Sequence, residues 1–368
     1  MLLSEAVAAI RRLAIVGLAK NTGKTVALAT MLRELEADGQ TVGVTSIGND
    51  GEQHDAIDER IAKPAIRLAA GSLVATTDLL LRRGSAPVEL LRRTPYRTSL
   101  GRVVIARLRA AGALEVAGPV AAQDVGTVAE ELIALGAERV LIDGALDRRA
   151  SAAPTVADGV VVATGAVLDA DIDVVVRKTK DAIDLLRLPT VDDPPLRRQA
   201  LALRLSTLVA ADVGWATSAG RESMGGGATA LIAPPEQVAL TRKLVLDGPV
   251  EEVAALLRAH PDLSCAIVKG ALCEPFLEGV LRARRGEEFR IVVDDARRVF
   301  LTRRNAGFYL AHGIAIEVLT PIRVAAITVN PVAPLAHSFD SLRFRELVHD
   351  AAPGVPVFDV MHSSYTPE

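Results

Sequence analysis

Aromatic residues make up only 3% of the 368-residue chain, although half of its residues are hydrophobic. A core with so few rings must be built from Ala, Val and Leu, which suits layered α/β packing. Cysteine is nearly absent. Cys265 and Cys273 have seven residues between them and no histidine pattern beside them, which argues against a zinc site or a disulfide framework and for a reducing compartment. The net charge of −3 leaves no basic footprint for nucleic acid. No apolar run is long enough for a membrane span. The nearest, "DGVVVATGAVLDADIDVVV", is broken by Asp169, Asp171 and Asp173, and carboxylates are costly in lipid. The opening "MLLSEAVAAIRR" holds Glu5 and lacks a basic start before its apolar part, so it does not read as a signal peptide. The expectation is a cytoplasmic protein with neither membrane nor nucleic acid as partner.

Strands and helices alternate along the first half. Residues 13–16 read as a buried strand, 24–35 as a helix closed by Gly39, and "TVGVTSIG" as a second strand. After the polar loop "NDGEQHDAID", Thr77 or Asp78 caps a helix, and "VELLRRT" and "GRVVIARL" are strand-like. "DVGTVAEELIALGA" has helical spacing ending at Gly136. "RVLIDGALDRR" and "GVVVATGA" are strands, and "DIDVVVRKTKDAIDLLRL" is a helix. This order predicts an α/β fold with a doubly wound, mainly parallel sheet. Pro189, Pro194 and Pro195 in "LPTVDDPPLRR" suggest a linker, dividing the chain into domains 1–190 and 191–368. Strand candidates beyond it ("ATALIAP", "CAIVKGA", "FRIVVDD", "IAIEVLT", "VAAITVN", "VPVFDV") predict a second α/β domain without a second phosphate loop. The glycine-rich run over residues 218–228 reads as a surface loop.

The stretch "LAIVGLAKNTGKTVALATML" carries the chemistry. A strand that ends in glycine, followed by Gly-Lys-Thr opening a helix, places main-chain N–H groups and the positive helix end around phosphate oxygens. Gly23 allows close approach of the backbone. Lys24 reaches the β- and γ-phosphates, and Thr25 offers its hydroxyl to Mg²⁺. The leading glycine, Gly17, comes one residue earlier than in G-x-x-x-x-G-K-[ST]. Asn21 stands where glycine is common, and Asn tolerates a left-handed backbone. The expected nucleotide contacts are Gly17, Lys20, Asn21, Thr22, Gly23, Lys24 and Thr25. "VLIDG" supplies an acidic partner, Asp143, for Mg²⁺ at the carboxyl edge of the sheet. Asp50, Glu52 and Asp55 follow the second strand. Asp50, closest to its end, is the best candidate for Mg²⁺ or for positioning the attacking water, with a solvated acidic loop as the plain alternative. The expected catalytic set is Lys24, Asp50 and Asp143, and the expected metal set Thr25, Asp143 and Asp50. Asp147, Arg148 and Arg149 read as a surface turn, and the histidines are scattered. Thr179-Lys180-Asp181-Ala182 fails the last position of the guanine-reading Asn/Thr-Lys-x-Asp pattern, so ATP is favoured over GTP.

The loop "GLAKNTGKT" has the length of the G-x-x-x-x-x-G-K-T loop of dethiobiotin-synthetase-like enzymes, which belong to a P-loop class with the Min and nitrogenase-iron-protein ATPases. An extra lysine often stands five residues before the loop lysine in that class. Here Ala19 holds that position and Lys20 is one place off. Taken together, "GLAKNTGKT", "GVTSIGNDGE", "LIDGALDRRASAAPTVADGVVVATGA" and "AITVNPVAPLAHSFDSLRFRELV…VPVFDV" resemble the reactivase subunit of the lysine 5,6-aminomutase system. The resemblance spans both halves of the chain. It implies an ATP-hydrolysing chaperone that releases damaged cofactor from a cobalamin-dependent aminomutase, working with a MutS-like ATPase subunit. A homodimer is compatible with it. Two other classes remain open. One is an ATP-dependent ligase of the dethiobiotin-synthetase type that activates a carboxylate. The other is a non-catalytic nucleotide-binding protein.

Overall fold

The computed structural model describes residues 2–48, 65–145, 155–205, 213–217, 231–232, 250–334 and 336–361. From the N-terminus the elements are α1 (Leu3–Ala6), β1 (Arg12–Gly17), α2 (Lys24–Ala37), β2 (Val42–Ser46), β3 (Ile66–Leu68), β4 (Leu73–Thr77), α3 (Asp78–Arg83), β5 (Val88–Thr98), β6 (Gly101–Leu108), β7 (Gly112–Leu114), α4 (Ala122–Ala134), β8 (Arg139–Ala145), β9 (Gly159–Gly165) and α5 (Ile172–Leu186). Then come α6 (Pro194–Leu205), β10 (Val213–Thr217), β11 (Leu231–Ile232), α7 (Val250–Ala259), β12 (Leu263–Val268), β13 (Leu272–Cys273), α8 (Glu274–Ala283), β14 (Phe289–Val293), β15 (Val299–Phe300), α9 (Ala306–Ala311) and β16 (Ile314–Val318). The chain closes with β17 (Val324–Asn330), α10 (Ser341–Ala351) and β18 (Val357–Asp359).

Two compact units result, and they are not consecutive in sequence. Residues 1–180 and 323–368 form the first, and 181–322 the second. This differs from the division expected at residue 190. "VAAITVN" and "VPVFDV", expected in a C-terminal domain, are β17 and β18 of the first unit's sheet. The proline-rich stretch is not a linker either. Val191 N–H donates to the Val318 carbonyl at 3.0 Å and Val318 N–H to that of Pro189 at 2.8 Å, which ties the stretch to β16. Asp193 then caps α6, accepting from Leu196 N–H at 3.0 Å, with Pro194 in the first helical position, where no N–H is needed.

The first unit is built on a nine-stranded sheet in the order β18-β17-β9-β1-β8-β2-β4-β6-β5. Neighbours from β18 to β4 pair in parallel, and only β6 runs against its neighbours β4 and β5. Both faces are covered. Leu13 and Ile15 of β1 share a buried cluster with Leu28, Met31 and Leu32 of α2 and with Val42 and Val44 of β2. Gly43, whose direction alternates with those two valines, lies instead against Leu132 of α4 and Ala137. Helices on both faces explain why β1, β2 and β9 read as unbroken apolar runs rather than alternating ones. The chain is therefore an α/β protein with a large, mostly parallel central sheet. Thr77 caps α3, as expected, by accepting from Leu80 N–H.

The second unit carries a five-stranded sheet in the order β11-β10-β12-β14-β16. Strands β12, β14 and β16 are parallel, while β10 opposes β12. Val191, Leu196 and Ala200 pack on Cys265, Ile267, Val292 and Leu319. No helix among the described residues is long and apolar enough to cross a membrane.

Candidate functional site

The loop between β1 and α2 opens from the carboxyl end of the strand. Leu18 N–H donates to Ala163 of β9 at 2.9 Å, which fixes the first turn. Gly17 packs so closely on the returning loop that a Cβ there would stand 2.6 Å from Thr22 Oγ1. That hydroxyl donates to the Ala19 carbonyl at 3.0 Å and is buried. Asn21 has φ +65° and is the one non-glycine in the left-handed region among the described residues; Gly23 has φ +88°. Two left-handed residues on either side of Thr22 fold the chain back on itself. Backbone N–H groups held in such a concave turn suit an anion. Helix α2 starts at once, with Ala27 N–H donating to Gly23 at 2.9 Å. Its positive end is aimed into the same loop.

The strand carrying Asp143 is the immediate neighbour of β1, with Ile15 opposite Asp143. Lys24 Nζ lies 3.1 Å from Asp143 Oδ1, with side chains 20% and 14% exposed. Asp143 Oδ1 is buried and takes no conventional hydrogen bond, so the Lys24 ammonium is the charge that compensates it. Thr25, in the first turn of α2, and Lys20, in the loop, are both exposed. Gly17, Asn21, Thr22, Gly23, Lys24 and Asp143 thus lie together at one edge of the sheet. Asp50, Glu52, His54, Asp55, Asp147, Arg148 and Arg149 lie outside the described residues, as does the glycine-rich run 218–228.

One residue of the site escaped the sequence reading. Asn330, the last residue of β17, donates through Nδ2 to the Asn21 carbonyl at 3.1 Å, a contact between residues 309 apart. Its Oδ1 accepts from Val332 N–H at 3.0 Å. Its Cβ lies 3.1 Å from where a Cβ on Gly23 would stand. The only signal was the segment "AITVNPVAP" itself, whose asparagine ends a strand at the carboxyl edge of a parallel sheet, where ligands gather.

Other side chains settle into structural roles. Thr179 is buried in α5. Its hydroxyl bonds the Val175 carbonyl at 2.8 Å and lies 2.7 Å from Thr164 Oγ1. It is thus turned into the protein. Cys265 is buried, and burial pushes its thiol up to about 12, with nearby Arg290 opposing and Glu317 and Asp193 adding to the rise. A thiol held neutral in this way is a packing group rather than a nucleophile. No group of three or more His, Cys, Asp or Glu side chains placed to hold a metal occurs among the described residues.

Fold and site together define an α/β chain with a glycine-bounded, cation-tipped loop at the carboxyl edge of a mostly parallel sheet. Against known proteins, no family model, curated protein or solved structure matches the chain.

Proposed function

We propose that the first unit is a P-loop nucleotide-binding module that takes Mg-ATP in preference to Mg-GTP. The observation that carries this is the pairing of Lys24 with the half-buried carboxylate of Asp143 at 3.1 Å, at the mouth of a loop bent by left-handed Asn21 and Gly23. A lysine so placed is free to exchange its carboxylate for a phosphate oxygen as a point charge. The donor set also fits Mg²⁺. The oxygens of Thr25 and Asp143 suit a hard cation that keeps most of its waters, and a buried carboxylate oxygen without a hydrogen bond suits a metal shell. The ion would supply charge neutralisation at the phosphates. The preference for ATP rests on the failed guanine pattern at residues 179–182 and is supported by the inward direction of Thr179.

Within that class, we propose a reactivating chaperone for a cobalamin-dependent aminomutase, acting with a MutS-like ATPase. The support is the resemblance, together with where its segments fall. "GLAKNTGKT", "VTSIG", "LIDGA", "VVVATG", "AITVN" and "VFD" belong to strands of one sheet or to the loop that leaves it. Segments scattered over the whole sequence therefore serve one unit. A ligase of a glutamine-using kind, which needs a nucleophilic cysteine, draws no support from Cys265, whose thiol is buried and held neutral.

Calorimetry with saturating Mg-ATP and Mg-GTP tests the first step. Heat of association is expected with ATP and is expected to vanish in Lys24→Ala; no heat with either nucleotide removes the proposal. Steady-state ATPase assays test the second. The rate is expected to rise when the aminomutase and the MutS-like subunit are added. An unchanged rate under conditions where the three co-purify would count against the chaperone. Turnover on a carboxylate substrate without partners points to a ligase instead.

A further inference from the structure

Asn330 reaches the nucleotide loop from an unexpected distance. Its strand, β17, is not beside β1; β9 lies between them. Two strand spacings separate β17 from β1, about 10 Å, yet the Asn330 amide touches the loop that follows β1. Gly165 makes the crossing possible. It is the last residue of β9 and stands opposite Asn330 in the register. A Cβ on Gly165 would lie 2.9 Å from the Asn330 carbonyl oxygen, 3.1 Å from Asn330 Cβ and 3.4 Å from Thr22 Cα. Its backbone is extended, with φ −172°, so any residue can adopt its conformation. What glycine supplies here is space.

The group that Asn330 holds decides which way the loop faces. A peptide unit is planar and trans, so its C=O and N–H point in opposite directions. Nδ2 of Asn330 fixes the Asn21 carbonyl at 3.1 Å. The N–H of Thr22, the other end of that peptide, must then face the opposite side. Were this peptide to flip, a carbonyl oxygen would replace the N–H there and repel an anion. Residue 21 already sits in a region that few non-glycine residues occupy, and so gains most from an external hold. Asn330 is itself anchored. It is 7% exposed, and its Oδ1 is engaged by Val332 N–H, so neither end of the amide can swing away without losing a bond.

We infer that Asn330 is a positioning residue for nucleotide binding, clamping the Asn21–Thr22 peptide across the gap that Gly165 leaves. This rests on the nucleotide reading above, but the clamp itself is testable without nucleotide.

The experiment compares the full-length wild type with Asn330→Asp and Gly165→Ala. The first variant is isosteric but turns the donor into a second acceptor facing the Asn21 carbonyl. The second leaves Asn330 in place and closes its gap. Amide hydrogen exchange is followed in the absence of nucleotide, and Mg-ATP affinity by calorimetry. In both variants, exchange of the amides in residues 18–25 is expected to rise about tenfold, the scale of one lost hydrogen bond. Amides of β1, β8 and β9 are expected to keep their protection. Mg-ATP affinity is expected to fall by a similar factor. A purely structural role would instead raise exchange across all three strands and lower the melting temperature, and that result overturns the inference. So does unchanged affinity in both variants when the wild type binds. If the wild type binds neither nucleotide, the nucleotide reading fails, and a role in binding fails with it. The loop-confined exchange then still decides whether Asn330 holds the loop.

Discussion

Lys24 and Asp143 show how the proposed nucleotide site would be held ready by its own charges. Asp143 Oδ1 is buried without a conventional hydrogen bond, and Lys24 stands 3.1 Å away. Each side chain keeps some solvent, which moderates the energetics compared with a fully buried pair. Lys24→Ala is expected to abolish nucleotide binding and also to destabilise the first unit by about 1–2 kcal/mol, because a half-buried carboxylate loses its cation. Thermal melts beside the calorimetry separate the two effects. Asp143→Asn removes the charge yet keeps the shape. It is expected to spare Mg-ATP binding more than hydrolysis, which parallel titrations and turnover assays measure; equal loss of both would contradict the assigned roles. Gly17, Gly23, Lys24 and Thr25 were legible in the sequence because their chemistry is local and their spacing fixed. Asn330 was not. Its contact depends on strand order and on the missing side chain of Gly165, neither of which is a pattern along the chain.

A second residue, Glu274, sets a pH limit on the second unit. Burial by itself would raise its pKa. The Thr302 hydroxyl and the amides of Arg303, Arg304 and Thr302 outweigh that and hold the carboxyl below its ordinary value. The bonds are of ordinary length, with Arg303 N–H and Arg304 N–H each reaching a carboxylate oxygen at 2.9 Å. A carboxylate whose folded pKa lies below its unfolded one contributes stability that is complete above the unfolded pKa, near 4.5, and is lost as pH falls through the folded value. Glu274→Gln keeps the shape but replaces one acceptor oxygen with a donor aimed at N–H groups. It is expected to cost about 2–3 kcal/mol at pH 7, and its penalty is expected to shrink below pH 4. Denaturant titrations at pH 7 and pH 3.5 check both the size and the sign.

At the scale of elements, apolar runs gave the strands but not their directions. "GRVVIARL" has the unbroken run of a buried parallel strand, yet β6 is antiparallel to both neighbours. The run is unbroken because Val103, Val104, Ile105 and Ala106 are all buried, and burial on both faces erases the alternation that marks most antiparallel strands. Its partner β5 ends the sheet and carries the devices that keep edges from pairing. The register shifts twice, between Leu90 and Arg92 and between Arg93 and Arg97. Pro95, which has no N–H, falls within the second irregularity. Arg97 sits directly opposite Arg102, an unfavourable pairing of like charges. Replacing both devices, Pro95→Val with Arg97→Val, is expected to leave thermal stability within about 1 kcal/mol of the wild type but to cause concentration-dependent self-association. Sedimentation velocity over a hundredfold concentration range measures it, and a variant that stays monodisperse throughout removes the edge-protection argument.

At the scale of the whole molecule, the sequence order conceals how the first unit is completed. The runs "VAAITVN" and "VPVFDV" were recognisable as strands, but a buried valine-rich strand carries no mark of the sheet it joins. Pairing is decided by which edge is open, and the open edge belonged to β9, laid down some 160 residues earlier. Every residue of β9 is buried, so without β17 its backbone N–H and C=O groups and one flank of valines would face water. A fragment of residues 1–190 holds Lys24, Thr25 and Asp143 and would be a complete domain had the chain divided there. It is expected instead to be poorly soluble and to bind no Mg-ATP. Co-expressing it with residues 323–368 as a separate chain restores β17, β18 and Asn330 together. That pairing is expected to bring back a soluble complex with measurable nucleotide affinity. Replacing the second piece by its Asn330→Asp form should keep the solubility and lose most of the affinity. Completing the sheet is thereby separated from clamping the loop. A fragment 1–190 that folds alone and binds Mg-ATP as tightly as the full chain would show that the returning strands are dispensable to the unit.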